Sequence, residues 1–242
     1  MADSKLKTAL ITGASRGIGR GIAIVLAREG YDVAITYARE KEKAEEVAHY
    51  IENEYRRRCF VYQASLENPD VPEKMVKDAI GDLGRLDVLV NNAGLSSRDE
   101  VLTMDKDRLD YLLSLNFKAP LLAIKATARH MVKNGIKGNI VNITSTRGIR
   151  AYPNDFIYGA TKAALARATE SIALELSTYG IRVNCVAPGA TAIRDEANEF
   201  YTYLGNKIPM NRMGTPEDIG NAVAWLVSDK ATYITGVVLR VD

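Results

Sequence analysis

The 242-residue sequence predicts an α/β fold, in which a doubly wound parallel sheet of about seven strands carries helices on both faces. Apolar periodicity alternates about seven times between strand-like and helix-like along the chain. Strand-like runs such as Leu86–Val90 are apolar at nearly every position, which is typical of parallel strands buried on both faces. No linker, repeat or low-complexity stretch interrupts the pattern. We therefore expect a single domain over residues 1–242.

Each element is predicted from its local pattern. Strands are short apolar or β-branched runs, and helices have apolar residues three and four positions apart. The predicted strands are Lys7–Thr12, Asp32–Tyr37, Cys59–Gln63, Leu86–Val90, Asn139–Thr144, Arg182–Ala187 and Val237–Val241. The predicted helices are Gly17–Arg28, Glu40–Tyr55, Pro72–Leu83, the long Lys106–Lys133 and Asp155–Tyr179, and Pro216–Ser228. Thr215 is a favourable N-cap for the last helix, with Pro216 in its first turn.

Composition excludes several classes of protein. Apolar residues make up 47% and charged residues 26%, which is ordinary globular usage. The formal net charge of +2 provides no basic surface for nucleic acid or an anionic membrane. Two cysteines, Cys59 and Cys185, and two histidines, His49 and His130, provide neither a disulfide framework nor a metal site. With no apolar leader or long apolar run, we expect a cytoplasmic protein.

A glycine-rich turn links the first predicted strand to the first helix. In Thr12–Gly19 (TGASRGIG), Gly13 permits a tight turn, Gly17 lets the backbone approach a pyrophosphate, and Gly19 lets the helix pack on the sheet. The alternative is a tight strand–helix turn without a ligand. The strand before it and the helix after it favour a Rossmann-type dinucleotide site, and no Gly-Lys-Ser/Thr follows to indicate a nucleoside triphosphate site.

The residues after the second strand bear on which dinucleotide binds. An NAD site usually has an acid at the end of this strand, but here the first acid is Glu40. Arg16 and Arg39 could bind a 2′-phosphate, so we predict that NADP(H) is preferred, with NAD(H) possible. The alternative is that both are ordinary surface arginines.

The pattern Tyr-x-x-x-Lys, in which both side chains can share one face of a helix, occurs three times, and the surrounding sequence indicates which copy belongs to an active site. The three copies are Tyr37/Lys41, Tyr158/Lys162 and Tyr203/Lys207. Only Tyr158/Lys162 opens a long helix after an apolar strand that ends in hydroxyl-bearing residues, Thr144 and Ser145. Ligands in such sheets bind outside the carboxyl ends of the strands, so Ser145 and Tyr158 are expected to meet there.

Further motifs follow in a fixed order. They are Thr12–Gly19, Asn91–Gly94 after the fourth strand, Asn116 on the first long helix, Ser145, Tyr158 and Lys162, and Pro188-Gly189 after the sixth strand. Tyr158 follows Ser145 by 13 positions. On these motifs the chain is identified as a member of the short-chain dehydrogenase/reductase family, a resemblance that covers nearly all of its length. The resemblance implies an NAD(P)-dependent oxidoreductase acting on CH–OH groups.

The residue types indicate the chemistry. A free tyrosine has a pKa of about 10, and we expect the Lys162 ammonium and the nicotinamide charge to lower the pKa of Tyr158. Tyr158 would then exchange a proton with the substrate oxygen as general acid or base, while Ser145 holds that oxygen. Lys162 would bind the nicotinamide ribose, and the resemblance implies that Asn116 supports a water linking Lys162 to solvent.

The glycine turn and the resemblance together predict the cofactor contacts. These are Gly13, Ser15, Arg16, Gly17, Ile18, Gly19, Arg39, Ser65, Leu66, Asn92, Ala93, Gly94, Tyr158, Lys162, Pro188, Gly189 and Thr191. Two positions depart from many relatives. Ile193 stands where they have threonine, which leaves Thr191 as the nearest hydroxyl for the nicotinamide amide. Ser65-Leu66 stands where they have Asp-Val near the adenine.

Two segments are expected to build the substrate pocket, Thr146–Ile157 and Ala190–Met213. Their polar residues either face a polar or anionic substrate or lie on solvated loops: Arg147, Arg150, Asn154, Asp155, Arg194 and Asp195. The resemblance points to two branches, the 3-oxoacyl-carrier-protein reductases and the glucose 1-dehydrogenases. The alternative is a non-enzymatic, redox-sensing NADP(H)-binding protein. The two long helices resemble a two-fold interface, so a homodimer or homotetramer is expected.

Overall fold

A computed structural model describes residues 6–193 and 199–242. The strands are β1 Lys7–Ile11, β2 Tyr31–Tyr37, β3 Cys59–Gln63, β4 Val88–Asn91, β5 Asn139–Ile143, β6 Arg182–Pro188 and β7 Val238–Val241. The helices are α1 Gly17–Arg28, α2 Lys41–Tyr55, α3 Val71–Leu83, α4 Lys106–Leu113, α5 Ala119–Lys133, α6 Phe156–Ser177, α7 Glu199–Gly205 and α8 Pro216–Val227. Short 3₁₀ turns lie at Val101–Thr103, Thr146–Gly148 and Asp229–Ala231. Within the described ranges, no helix is long and apolar enough to cross a membrane.

The strands form one parallel sheet in the order β3-β2-β1-β4-β5-β6-β7. One apolar cluster packs α1, α2 and α8 on one face, and a second packs α3, α5 and α6 on the other. The order in which successive strands are added reverses between β1 and β4, and in such sheets ligands bind at the carboxyl ends near this switch point. The predicted α/β class, the strand count and the helices on both faces are confirmed.

The predicted boundaries agree with the structure to within one or two residues, except in the first long helix. A π-helical segment, Ser114–Lys118, divides the predicted Lys106–Lys133 into α4 and α5, with buried Asn116 at its centre. Pro120 has no N–H to donate to the Asn116 carbonyl, the bond that a continuous α-helix would need. Proline at this position therefore explains why the helix is interrupted beside the predicted site.

Candidate active site

The loops after four neighbouring strands converge at the carboxyl edge of the sheet. The glycine turn follows β1, Asn92–Gly94 follows β4, Ser145 follows β5, and Gly189 follows β6. Thr12 connects the first two loops, because its Oγ1 accepts hydrogen bonds from the backbone N–H groups of Asn92 (3.0 Å) and Ala93 (2.9 Å).

The glycine turn leaves no room for side chains at its key positions. Gly13 has a φ of +64°, and a Cβ there would lie 2.9 Å from the Ala93 Cα. A Cβ on Gly19 would lie 2.3 Å from the Gly13 carbonyl oxygen and 2.5 Å from Nδ2 of Asn92. Nδ2 of Asn92 also donates to the carbonyls of Thr12 and Gly13, both at 2.9 Å. These contacts fix the turn closely against the loop after β4.

The N-terminus of α1 fits an anionic ligand. Its N-cap residue, Arg16, has extended backbone, and within the described part of the chain no side-chain hydrogen bond caps the helix and no acid lies in its first turn. The first N–H groups of a helix need acceptors, and a phosphate supplies them. Ser15, Gly17 and Ile18, also predicted cofactor contacts, lie partly buried in this turn. The residues present therefore fit the pyrophosphate of a dinucleotide.

The predicted adenosine end is charged and largely exposed. Arg16 forms an ion pair with Glu40, with Nε 3.2 Å from Oε2, and Lys43 lies 2.8 Å from the same carboxylate. Hydrogen bonding to Lys43, followed by the Arg16 charge, holds the pKa of Glu40 below its usual value. Arg39 is exposed beside this cluster in the chain, and Ser65 is exposed after β3. The side chain of Leu66 is buried in the core.

Lys162 is buried one turn after Tyr158 on α6. Its ammonium donates to the Ile143 carbonyl at 2.8 Å and lies 5.8 Å from the centre of the Tyr158 ring. Burial lowers the pKa of Lys162 to about 8, opposed by the nearby thiol of Cys185. The lysine therefore loses its proton at a lower pH than a lysine in water does, and it stays mostly protonated at pH 7.

The phenol of Tyr158 has a pKa raised by burial. A hydrogen bond with Ser145 and the charge of Arg147 act in the opposite direction, and the charge of Asp155 raises it further. The sequence predicts that Lys162 and the nicotinamide charge lower this pKa, which stays a prediction, and Ser145 and Arg147 are further groups that lower it. The Lys162 ammonium donates to the Ile143 carbonyl and lies 5.8 Å from the centre of the Tyr158 ring.

Asn116 connects the π-helical segment to the other loops of the site. Its Oδ1 accepts from the Leu95 N–H, and its Nδ2 donates to the Leu95 carbonyl, both at 2.9 Å. Nδ2 also lies 3.3 Å from Oγ1 of Thr161 on α6. A Cβ on Gly94 would lie 3.1 Å from Oδ1 of Asn116 and 3.3 Å from Nζ of Lys162. The loop after β4, the π-helical segment and α6 thus meet around the lysine.

A buried polar chain beneath the site was missed by sequence reasoning. Asn91 donates to Asn142 at 2.9 Å, Asn142 donates to Oγ1 of Thr169 at 2.9 Å, and the Cys185 thiol donates to the same oxygen at 3.2 Å. These hydrogen bonds join β4, β5, α6 and β6, so they hold together the strands that carry the site. The signal for it in the sequence was asparagine inside apolar strands, where a buried amide requires partners.

The segment after β6 lies over the glycine turn. Pro188 is buried, and Gly189 lies so close to the end of the chain that a Cβ there would be 2.4 Å from the Cβ of Asp242. Oγ1 of Thr191 donates to the Gly189 carbonyl at 3.2 Å. A Cβ on Gly17 would lie 3.3 Å from that of Ile193.

Two of the predicted pocket residues pair with each other. The carboxylate of Asp155 is buried and forms an ion pair with the guanidinium of Arg147. Arg150 instead lies over the ring of exposed Tyr152, 5.4 Å from its centre. Asn154 is exposed, with a φ of +60°. The remaining two, Arg194 and Asp195, lie outside the described residues.

Comparison with known proteins identifies the family. A family model described as enoyl-(acyl carrier protein) reductase matches residues 13–242. The 3-oxoacyl-[acyl-carrier-protein] reductase of Staphylococcus aureus is 41% identical over 98% of this chain and 96% of its own length. The chain belongs to the short-chain dehydrogenase/reductase family.

Other members of the short-chain dehydrogenase/reductase family match over nearly the whole chain. Glucose 1-dehydrogenase 2 of Bacillus subtilis is 34% identical over 98% of this chain and 93% of its own length. A short-chain dehydrogenase from Burkholderia cenocepacia, solved in complex with NADP, has a TM-score of 0.90 and 34% identity, covering 98% of this chain and 96% of that one. The family assignment confirms an enzyme acting on CH–OH groups, and nothing supports the non-enzymatic alternative.

Proposed function

We propose that this short-chain dehydrogenase/reductase interconverts a ketone and a secondary alcohol with NADP(H), using Tyr158 as general acid and base. The observation that carries the proposal is the arrangement of Ser145, Tyr158 and buried Lys162 at the carboxyl edge of the sheet, where the glycine turn fits a dinucleotide. The bound cofactor supplies or accepts the hydride, and the protein positions the reactants and handles the proton.

Each side chain has a defined task in the reduction. Ser145 holds the substrate oxygen through its hydroxyl, and Tyr158 donates its proton to that oxygen as negative charge develops there. Lys162 holds the ribose next to the ketone and stabilises the phenolate that remains. Asn116 keeps the loop after β4 against α6, and through a water it connects Lys162 to solvent. In the oxidation, Tyr158 takes the proton instead.

The segments around the site support a 3-oxoacyl thioester as substrate. Ile149 and Tyr152, which follow Ser145, are exposed, as are Leu95 after β4 and Ile193 after β6. Exposed apolar side chains around a reactive centre favour an acyl chain over a sugar. The pairing of Arg147 with Asp155 cancels charge that would otherwise attract an anionic substrate. A glucose 1-dehydrogenase-like activity is the second candidate, supported by the Bacillus subtilis relative.

The function is tested with a substrate panel and one substitution. Purified protein is assayed for reduction of acetoacetyl-coenzyme A and oxidation of glucose, each with both nicotinamide cofactors. Tyr158→Phe should lower turnover by about 10²- to 10⁴-fold and leave NADPH affinity nearly unchanged. Tyr233→Phe, at a fully exposed tyrosine outside both predicted pocket segments, is the matched control and should retain turnover within about twofold. Full turnover by Tyr158→Phe would exclude the mechanism.

Arg16 and Arg39 support a preference for NADPH over NADH. We propose that both bind the 2′-phosphate, with Glu40 released from Arg16 as the phosphate binds. Arg39→Ala should lower the ratio of kcat/KM for NADPH to that for NADH by about tenfold, and Glu40→Gln should raise the ratio by a smaller factor. An unchanged ratio in Arg39→Ala would contradict this assignment, and the values for NADH serve as the internal control.

The remaining cofactor contacts are proposed as predicted. Gly13, Ser15, Gly17, Ile18 and Gly19 hold the pyrophosphate. The adenine lies near Ser65 and Leu66, the nicotinamide half lies along Asn92, Ala93 and Gly94 and beside Pro188 and Gly189, and Thr191 contacts the amide.

An apolar groove between α5 and α6 supports a homodimer or homotetramer. Its apolar lining is Leu121, Ile124, Ala128, Val132, Ile172, Leu176 and Tyr179, and the charged residues Lys125, Arg129, Lys133 and Glu175 also line it. We propose that a second copy of the chain covers this groove in a cytoplasmic oligomer. Light scattering at micromolar concentration should show a dimer or tetramer, and a monomer would contradict the proposal.

A further inference from the structure

An ion pair that the proposed chemistry does not use lies beside the phenol of Tyr158. Nε of Arg147 donates to Oδ2 of Asp155 at 2.9 Å, and Nη2 lies 2.6 Å from Oδ1. The Asp155 side chain is only 2% exposed, whereas that of Arg147 is 28% exposed. One hydrogen bond and one close ion-pair contact therefore hold the guanidinium against the carboxylate, while Oδ1 of Asp155 is a buried oxygen that accepts no hydrogen bond within the described residues.

The same guanidinium connects three sides of the site. It lies 5.2 Å from the centre of the Tyr158 ring, and its Nη1 is 3.3 Å from Oγ of Ser96 in the loop after β4. The backbone N–H of Arg147 donates to Oγ of Ser145 at 3.1 Å. A displacement of Arg147 would therefore change the surroundings of the Tyr158 phenol and of the Ser145 hydroxyl together.

Two glycines fix the distance between Arg147 and Tyr158. A Cβ on Gly148 would lie 2.9 Å from the backbone nitrogen of Ala163 on α6. A Cβ on Gly159, the residue after Tyr158, would lie 2.9 Å from the carbonyl oxygen of Arg147. The turn after Ser145 therefore packs backbone against α6 without an intervening side chain.

We propose that Arg147 and Asp155 are positioning residues that hold Tyr158 and set how readily its phenol releases a proton. This inference rests on the proposed function of Tyr158. Arg147 stabilises the phenolate directly, whereas Asp155 opposes the phenolate and aims the guanidinium. The two partners of one ion pair thus act on Tyr158 with opposite sign, which a purely structural pair would not do.

The groups that face the phenol come from each element around it. The turn after β5 contributes Ser145 and Arg147, and α6 with its N-cap contributes Asp155 and Lys162; β6 contributes the buried Cys185 thiol, which lies near Lys162. Burial raises the pKa of Tyr158, Ser145 and Arg147 lower it, and Asp155 raises it. Removing the charge of Arg147 or that of Asp155 should therefore shift the titration of Tyr158 in a predictable direction.

The experiment follows the titration of Tyr158 itself. The ultraviolet absorbance of tyrosinate is recorded against pH, and the curve of the same protein carrying Tyr158→Phe is subtracted to remove the rest of the 12 tyrosines. Arg147→Gln should shift the titration to higher pH, and Asp155→Asn to lower pH. Arg147→Lys, which keeps the charge, should restore much of the wild-type position. Arg147→Gln with Asp155→Asn leaves no unpaired buried charge and should titrate between the two single variants.

A kinetic measurement gives a second readout. In the reduction of acetoacetyl-coenzyme A by NADPH, activity falls as Tyr158 loses its proton. Arg147→Gln should move this fall to higher pH and Asp155→Asn to lower pH, changing the rate at a fixed pH on this limb by about threefold to tenfold in opposite directions.

A matched pair elsewhere in the molecule provides the control. Nε of Arg58 lies 2.6 Å from Oδ2 of Asp32, which is 2% exposed, and the guanidinium lies 5.5 Å from the centre of the Phe60 ring. Asp32→Asn should lower stability and leave the titration of Tyr158 unchanged.

The outcomes separate this inference from the function on which it rests. Equal or absent shifts in Arg147→Gln and Asp155→Asn would overturn the inference. Retained turnover in Tyr158→Phe would overturn the proposed function, while the absorbance titration would still test the ion pair.

Discussion

Two copies of the same pattern, Tyr158/Lys162 and Tyr203/Lys207, lie in opposite environments. Lys162 is buried and donates to a backbone carbonyl, 5.8 Å from the centre of the Tyr158 ring. Lys207 follows the end of α7; its ammonium donates to the Tyr203 hydroxyl and lies 4.1 Å from the ring centre, with Tyr203 56% exposed. The pair in direct contact is thus the one at the surface. Spacing brings a lysine near a tyrosine, but burial and neighbouring loops decide what the pair can do.

The two lysines also differ in what their surroundings cost in stability. A buried ammonium loses hydration that a single hydrogen bond replaces only in part, and the lowered pKa of Lys162 measures that loss. An exposed ammonium keeps its water, so its contact with a phenol contributes little. The buried pair therefore costs stability, as active sites often do, whereas the exposed pair is close to neutral.

The largest expected difference in turnover and stability is between two single variants, Lys162→Met and Lys207→Met. Lys162→Met should lower turnover by about 100-fold or more and yet raise the free energy of unfolding at pH 7 by about 1–2 kcal/mol, because the relief of burying a charge exceeds the lost hydrogen bond to Ile143. Lys207→Met should change stability by less than about 0.5 kcal/mol and lower turnover far less than Lys162→Met does. Urea unfolding and the reductase assay measure both quantities.

The pH dependence of that stability gain has a definite sign. The pKa of Lys162 is about 8 in the folded protein and 10.5 in the reference state. Between these values the unfolded chain binds more protons than the folded one, so the wild type gains stability as pH rises. The advantage of Lys162→Met should accordingly shrink from pH 8 to 10.5. A constant advantage across this window would show that the lysine is not buried as a charge.

Much of the fold and the location of the site could be predicted from the sequence. Strand and helix periods are local properties, which explains why α1 and β3 have the predicted boundaries. The choice of Tyr158/Lys162 among three copies depended on the strand before it and the hydroxyl at its end, which are also local signals. Tyr37/Lys41 spans the end of β2 and the start of α2, so the two residues do not share a helix.

The features that the sequence could not supply depend on contacts between distant segments. The directions of the Lys162 ammonium and of the Arg147 guanidinium are set by partners 19 and 8 residues away along the chain. The hydrogen bond from Asn142 to Thr169 joins β5 to α6, and apolar periodicity along the sequence cannot predict such a contact. The π-helical segment at Asn116 depends on one proline in an otherwise regular helical pattern.

A substitution with a smaller expected effect on turnover tests how closely Lys162 is surrounded by other groups. Gly94→Ala places a Cβ 3.1 Å from Oδ1 of Asn116 and 3.3 Å from Nζ of Lys162, and Asn116 is held by its bonds to Leu95. We expect a loss of about 1 kcal/mol in stability and about tenfold in turnover.

Gly81→Ala is the matched control for this substitution. Gly81 lies inside α3, and no described atom outside that helix lies within 4 Å of the place that a Cβ would take. Alanine there should add about 0.5–1 kcal/mol of stability through helix propensity. Thermal unfolding and turnover are measured for both proteins. If the two variants behaved alike, the space around Lys162 would be open, and the contrast with the exposed pair would lose its basis.

The smallest effect concerns the exposed pair alone. A double-mutant cycle with Tyr203→Phe and Lys207→Met should give a coupling free energy of at most about 0.5 kcal/mol, because water competes for both groups. Urea unfolding of the wild type, the two single variants and the double variant measures this coupling. A coupling above about 1.5 kcal/mol would mean that the contact of Lys207 with Tyr203 is structurally important, and exposure would then be an insufficient criterion for separating the two pairs. A value near zero, together with the loss of turnover in Lys162→Met, would establish that the surroundings distinguish two identical spacings.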